Sequence, residues 1–188
     1  MVESNFDWGE SMASWSQEFA EAVRLHHLGV EGDKAAVQKA YALLDKLRQQ
    51  VNDNLVHAYY GSVLTLVGRD AINPTERVQK ALQGVKILNE AVAKEPNNVE
   101  IRLLRGFVCN RLPKVYFHRT ATAVEDFNHV LALDAKKHLL SKELYWKVLF
   151  ELGDAYKKLG QHEQAKAVWS RLKSQTSRYD QELRKHGF

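Results

Sequence analysis

The segment from Leu149 to Trp169 constrains the fold most, because its apolar and small residues recur at helical spacing on both sides of a turn. Leu149, Leu152 and Tyr156 lie three and four residues apart, so they share one face of a helix. Gly153 removes a side chain from that face, where a second helix can cross closely. Gly160 suits a helix end that needs a left-handed backbone, so the first helix is predicted to stop near Leu159. A second helix follows it. Ala165, Trp169 and Leu172 form its apolar stripe, with Ala165 small enough to sit opposite Gly153. The pattern reads as a hairpin of two antiparallel helices.

Looser versions occur upstream. Gly61, Leu64, Gly84, Leu88 and Ala91 lead into Glu95-Pro96-Asn97-Asn98, while Gly106, Cys109, Ala123, Phe127 and Val130 lead into Leu133-Asp134. With Leu152-Gly153, Tyr156, Gly160, Ala165 and Trp169, these spacings resemble the tetratricopeptide repeat family of protein-binding helical repeats. The resemblance implies an all-α superhelix, a solenoid of about four antiparallel hairpins at about 6–51, 53–95, 97–135 and 138–186, in one domain of residues 1–188. One departure is systematic. Equivalent glycines lie 45 and 47 residues apart, against roughly 34 in the standard repeat. The excess is expected in enlarged turns inside the hairpins, around Arg69–Pro74 and Leu112–Arg119, which emerge on one edge of a solenoid and are natural binding elements.

Only three prolines interrupt the chain, and Ala, Leu, Lys, Glu and Gln are abundant, which favours helix throughout. Eight helices are expected. The first, about 10–29, carries Trp8, Met12, Trp15, Phe19 and Val23 on one face; the second buries Val37, Ala40, Leu44 and Leu47. The third runs from about Asn54 to Gly68. For the fourth, Asn73 can cap, Pro74 suits the first helical position and Glu76 completes a capping box; Asn97 and Glu100 are expected to repeat that arrangement for the fifth. The sixth spans about 119–133, the seventh about 140–159, and the eighth runs unbroken over about 162–185.

The single cysteine, Cys109, excludes an internal disulfide and reads as a small buried side chain. With no apolar run of about 18 residues and no basic-then-apolar leader, neither a membrane span nor a cleaved signal is expected, and a cytoplasmic location is the default. No Gly-rich phosphate loop, His-Glu-x-x-His, Cys-x-x-Cys or Gly-x-Ser-x-Gly motif is present. His26-His27 makes a poor metal site, since neighbours on a helix point about 100° apart. The expectation is therefore no enzyme, no metal and no cofactor. Arg102 and Arg105 lie three apart, and Arg105 stands where the family usually has a core leucine. Burial without a partner would be costly, so Asp126 or Glu125 on the next helix is the expected counter-ion, with anion binding as the alternative.

The resemblance also implies a concave groove lined by the first helix of each hairpin. Its positions here are Leu55, Ala58, Ser62 and Thr65, then Leu103, Phe107 and Asn110, then Lys147, Phe150, Asp154 and Lys157. These lack the two-carboxylate clamp with which some relatives grip chaperone C-termini. The implied function is a non-catalytic scaffold or adaptor that binds a peptide or helix of a partner protein, anchored by Leu103, Phe107 and Phe150 and oriented by Lys147 and Lys157. Tyr116, Phe117 and His118 give the second enlarged turn unusual aromatic content; either the rings fold back on the hairpin or they form a contact patch. Residues 1–98 carry a net charge of −3 and residues 99–188 one of +7. That basic half, with Arg171, Arg178 and Lys185 seven apart on the last helix, supports the alternative of a nucleic-acid-binding accessory protein. The Trp8/Met12/Trp15/Phe19 stripe either closes the end of the core or drives self-association.

Overall fold

The computed structural model describes residues 8–188, with side chains from Trp15 onward. Every regular element among them is a helix, and the fold is all-α. The chain forms two compact units, one ending at Lys94 and the other beginning at Glu95.

The first unit contains α1 (Trp8–Val30), α2 (Lys34–Gln50), α3 (Asn54–Asp70) and α4 (Pro74–Lys94). Helix α1 pairs with α2 and α3 with α4, while α2 also packs on α3, so the two hairpins stack in chain order. Local chemistry sets the ends. Gly32 takes φ +113°, and Asp33 then accepts a hydrogen bond from the Ala36 N–H at 2.9 Å. Asp53 likewise accepts from the N–H groups of Leu55 and Val56, and Asn73 from those of Thr75 and Glu76. Leu44, Leu47, Val63 and Leu88 are fully enclosed, each contributing about 1.5–3 kcal/mol through burial. Of the N-terminal stripe, the Trp8 and Met12 side chains lie outside the described residues. Phe19 meets Tyr59 edge-on at 5.5 Å, and Lys46 binds Glu18 at 2.8 Å, so this part of the stripe packs within the unit.

The enlarged turn expected at Arg69–Pro74 is corrected by the structure. Helix α3 continues to Asp70 and α4 starts at Pro74, leaving only Ala71–Asn73 between them. The extra residues lengthen the helices, to 17 and 21 residues. What permits the long contact is the crossing of Gly61 and Gly84: a Cβ on Gly84 would lie 2.4 Å from the Gly61 carbonyl oxygen.

The second unit contains α5 (Val99–Arg111), the single turn α6 (Lys114–Phe117), α7 (Thr120–Lys137), α8 (Lys142–Lys158), α9 (His162–Lys173) and α10 (Asp180–Lys185). Helix α5 pairs with α7 and α8 with α9, and α7 packs on α8. Three expectations are corrected here. Asn98, not Asn97, caps α5 through the Ile101 N–H at 3.2 Å; Asn97 is held by His129 at 3.0 Å. Opposite Gly153 stands the indole of Trp169 rather than Ala165, because a Cβ on Gly153 would meet Trp169 Nε1 at 2.1 Å. The expected eighth helix breaks after Lys173. Ser174 turns its hydroxyl back to the Arg171 carbonyl at 2.8 Å, and Thr176 accepts from the Arg178 N–H at 3.2 Å, so side chains compete with the helical ladder. The chain then returns as α10, burying Leu183 among Trp169, Leu172 and Leu149.

Candidate functional site

The charged side chains on α5 define what the second unit can offer. Asp126 on α7 is 0% exposed and accepts from Arg102 Nη1 at 2.8 Å, from Arg105 Nε at 2.7 Å and from Arg105 Nη2 at 2.8 Å. Arg102 Nε donates to the Pro96 carbonyl. Glu125, largely exposed, stands at the edge 3.8 Å from Arg102 and 3.9 Å from Arg105. One buried carboxylate thus holds two buried guanidinium groups, and the cluster serves to join α5 to α7. Cys109 lies near it, enclosed in the core. Burial pushes its thiol up to about 12, which removes it as a nucleophile at neutral pH.

The groove positions divide by what they touch. Leu103 is buried with Val148 and Leu152. Asn110 is also buried, donating to Glu151 Oε2 at 2.7 Å and Asp154 Oδ2 at 3.0 Å, while its carbonyl accepts from Lys158 Nζ at 2.7 Å. These two residues tie α5 to α8. Phe107 is half-buried, 5.3 Å from the Phe127 ring, with Lys147 Nζ 5.1 Å from its centroid and Arg111 at 5.9 Å. It presents an aromatic ring edged by two cations.

The C-terminal residues bear on the other end of this row. Tyr179 stacks on Phe150 at 5.1 Å, and the His186 ring meets Phe150 at 5.6 Å. Lys157 Nζ donates to the His186 carbonyl at 2.6 Å. Asp154 pairs with Lys158 at 2.6 Å and has His186 Nδ1 at 3.8 Å. Phe150, Asp154 and Lys157 are therefore in contact with the chain's own last residues. Sequence reading missed this because it ran the last helix straight on; the Ser174-Gln175-Thr176-Ser177 run was the available signal.

The loop after α5 is the most open apolar feature of the unit. Val115 and Tyr116 are each 78% exposed, Phe117 is half-buried, and His118 is exposed. This turn is anchored. Lys114 Nζ donates to the Lys158 carbonyl at 2.6 Å, and α6 closes on His118 at φ 50°, whose N–H bonds to the Lys114 carbonyl at 3.0 Å. Tyr116 therefore stands out on a fixed helical turn. Val115, not singled out by sequence reading, shares its exposure. Arg171 is exposed and lies 5.3 Å from the Tyr145 ring.

In the first unit, the groove positions Ala58, Ser62 and Thr65 are buried and Leu55 is half-buried. Ser62 Oγ lies 2.8 Å from His26 Nε2, so this face is covered by α1. Among the described residues no group of three or more His, Cys, Asp or Glu is placed to hold a metal, and no helix is long and apolar enough to cross a membrane.

No family model matches the chain, and no curated protein matches it. Among solved structures it is similar to MamA AMB-1, at 20% identity and a TM-score of 0.49 over 80% of this chain and 70% of that one. A second MamA AMB-1 crystal form gives 19% identity and 0.39, covering 82% of this chain and 98% of that one. MamA MSR-1 gives 18% identity and 0.36, over 81% and 95%. None of these overlays is close enough to bear on function, and the all-α assignment rests on the helices themselves.

Proposed function

We propose that this chain is a non-catalytic protein-interaction module, and that its principal contact with a partner is the anchored turn carrying Val115, Tyr116 and Phe117. The observation that carries the reading is the 78% exposure of both Val115 and Tyr116 on a turn held by the Lys114 to Lys158 hydrogen bond. Exposed apolar side chains on a fixed backbone lose little entropy on binding, and tyrosine is enriched among residues that dominate interface energies. Phe107 with Lys147 and Arg111 supplies a second contact for an apolar side chain flanked by a carboxylate. A short helix or extended peptide with an apolar residue beside an acidic one fits this chemistry.

Affinity capture from native lysate tests the reading, using the wild-type chain, a Val115→Ser/Tyr116→Ser variant and a Phe107→Ala variant, each with and without nuclease. A specific protein that survives nuclease, and is lost with the loop variant while melting is unchanged, is the expected result. Retention of every partner by the loop variant overturns it. Partners that vanish with nuclease from all three baits favour the nucleic-acid alternative, with affinity falling steeply in salt.

A further inference from the structure

The first unit holds a cavity of about 230 Å³ lined by Arg48, Asn54, His57, Tyr60, Ile87, Glu90, Ala91 and Lys94, which the peptide reading does not use. It lies where the last turn of α2 and the last two turns of α4 meet the first two turns of α3. Three basic side chains reach it from three helices, Arg48 from α2, His57 from α3 and Lys94 from α4, while the Asn54 amide is turned to the Ala91 carbonyl at 3.0 Å.

Two of the carboxylates nearby are already engaged. Asp45 takes Arg48 Nε at 2.9 Å and Nη2 at 2.6 Å. Asp53 is committed to the N–H groups that open α3; Glu90, on the cavity's exposed rim, comes no nearer than 4.0 Å to Lys86. The Lys94 and His57 side chains, in contrast, have no hydrogen-bond or ion-pair partner among the described residues. Arg48 is fixed in place, its guanidinium carbon 4.3 Å from the centroid of the Tyr60 ring, which in turn stacks on Tyr41. Burial is the first cause that pushes the His57 ring below its ordinary value; Lys94 and then Arg48 add to it, and Asp53 opposes them. The local field at the imidazole is thus net positive.

We propose that this cavity binds a phosphate group, held by Lys94 and His57 and oriented by Arg48. Donors converging from three helices suit a tetrahedral anion with three free oxygens better than a planar carboxylate with two. The volume falls short of the roughly 300–1,000 Å³ of sites that bury a drug-sized molecule. It admits a phosphate with a small organic remainder. An anion arriving beside His57 favours the protonated ring, so binding takes up a proton and tightens as the pH falls.

The test is an NMR titration of the His57 ring in the full chain, in inorganic phosphate against chloride at matched ionic strength, with the other imidazole signals reporting general salt effects. Phosphate is expected to raise the His57 midpoint by about one unit, a tenfold gain in proton affinity. Lys94→Gln, at an exposed position, is expected to abolish that rise with melting unchanged, and Lys94→Arg to restore it. Phosphoserine run in parallel distinguishes the sources: tighter binding than inorganic phosphate assigns the group to a modified side chain, and weaker binding assigns it to the free ion. A His57 midpoint that moves no further in phosphate than in chloride overturns the proposal. So does a Lys94→Gln chain that responds as the wild type does.

Discussion

The hairpins α3/α4 and α8/α9 each set a glycine of the first helix against the second and fill the space opposite in different ways. Gly61 faces Gly84, so backbone meets backbone; Gly153 faces the Trp169 indole, whose Nε1–H then reaches the Phe150 carbonyl at 3.1 Å. The polar contacts inside the units differ in kind too. The first unit buries His26 against Ser62; the second buries two arginines around one aspartate. A glycine at the crossing therefore does not by itself fix the packing opposite it. What fills the gap depends on the second helix, and that depends on how the chain turns between them.

The sharpest test of this contrast is Asp126→Ala. Two buried guanidinium groups would lose their carboxylate, at an expected cost of about 3–5 kcal/mol, read from the denaturation midpoint. Alanine at each glycine crossing comes next. Gly84→Ala drives a methyl into a carbonyl that cannot move aside, whereas Gly153→Ala drives one into an indole that can tilt, so both should cost about 1–3 kcal/mol with Gly84→Ala the larger. The reverse order in urea melts would break the comparison. Ser62→Ala should cost about 1 kcal/mol, as loss of one buried hydrogen bond does. His118→Gly and His138→Gly should each stabilise by about 1 kcal/mol, since both residues hold left-handed backbones, at φ 50° and 51°.

The smallest effect concerns pH. His57 sits below its ordinary value of 6.5 in the folded chain, so the unfolded chain takes up that proton first. This group's contribution is fully present above about 6.5 and shrinks as the pH falls from there through the folded value. Melting temperature should decline over that window, and His57→Gln should reduce the decline to the part due to His129, whose ring burial also lowers.

Much of the helical framework was legible because period and capping are local. Asn73 with Pro74, and the face shared by Leu149, Leu152 and Tyr156, need only a few neighbours to be read. Side-chain partners across helices were less so. Arg102 and Arg105 announced a buried carboxylate, yet only the fold separates Asp126, which is enclosed, from Glu125 one residue earlier. The turn between α3 and α4 was misjudged because repeat spacing counts residues without saying whether they lengthen a loop or its helices. The candidate surface shows the same limit. Phe150 looked free until Ser174 and Thr176 turned the chain and brought Tyr179 and His186 onto it. Tyr116 stands out because Lys114 reaches the end of α8, a contact 44 residues distant in sequence.

Cys109 turns its enclosure into a clock. It is the chain's single thiol, sealed among α5, α7 and α8 with its proton held up to about 12. A thiol reagent can reach it only when those helices part, so the labelling rate counts openings of the second unit's core under native conditions. Any partner that seats on α5 and α8 should slow that count, giving a binding assay that requires no tag.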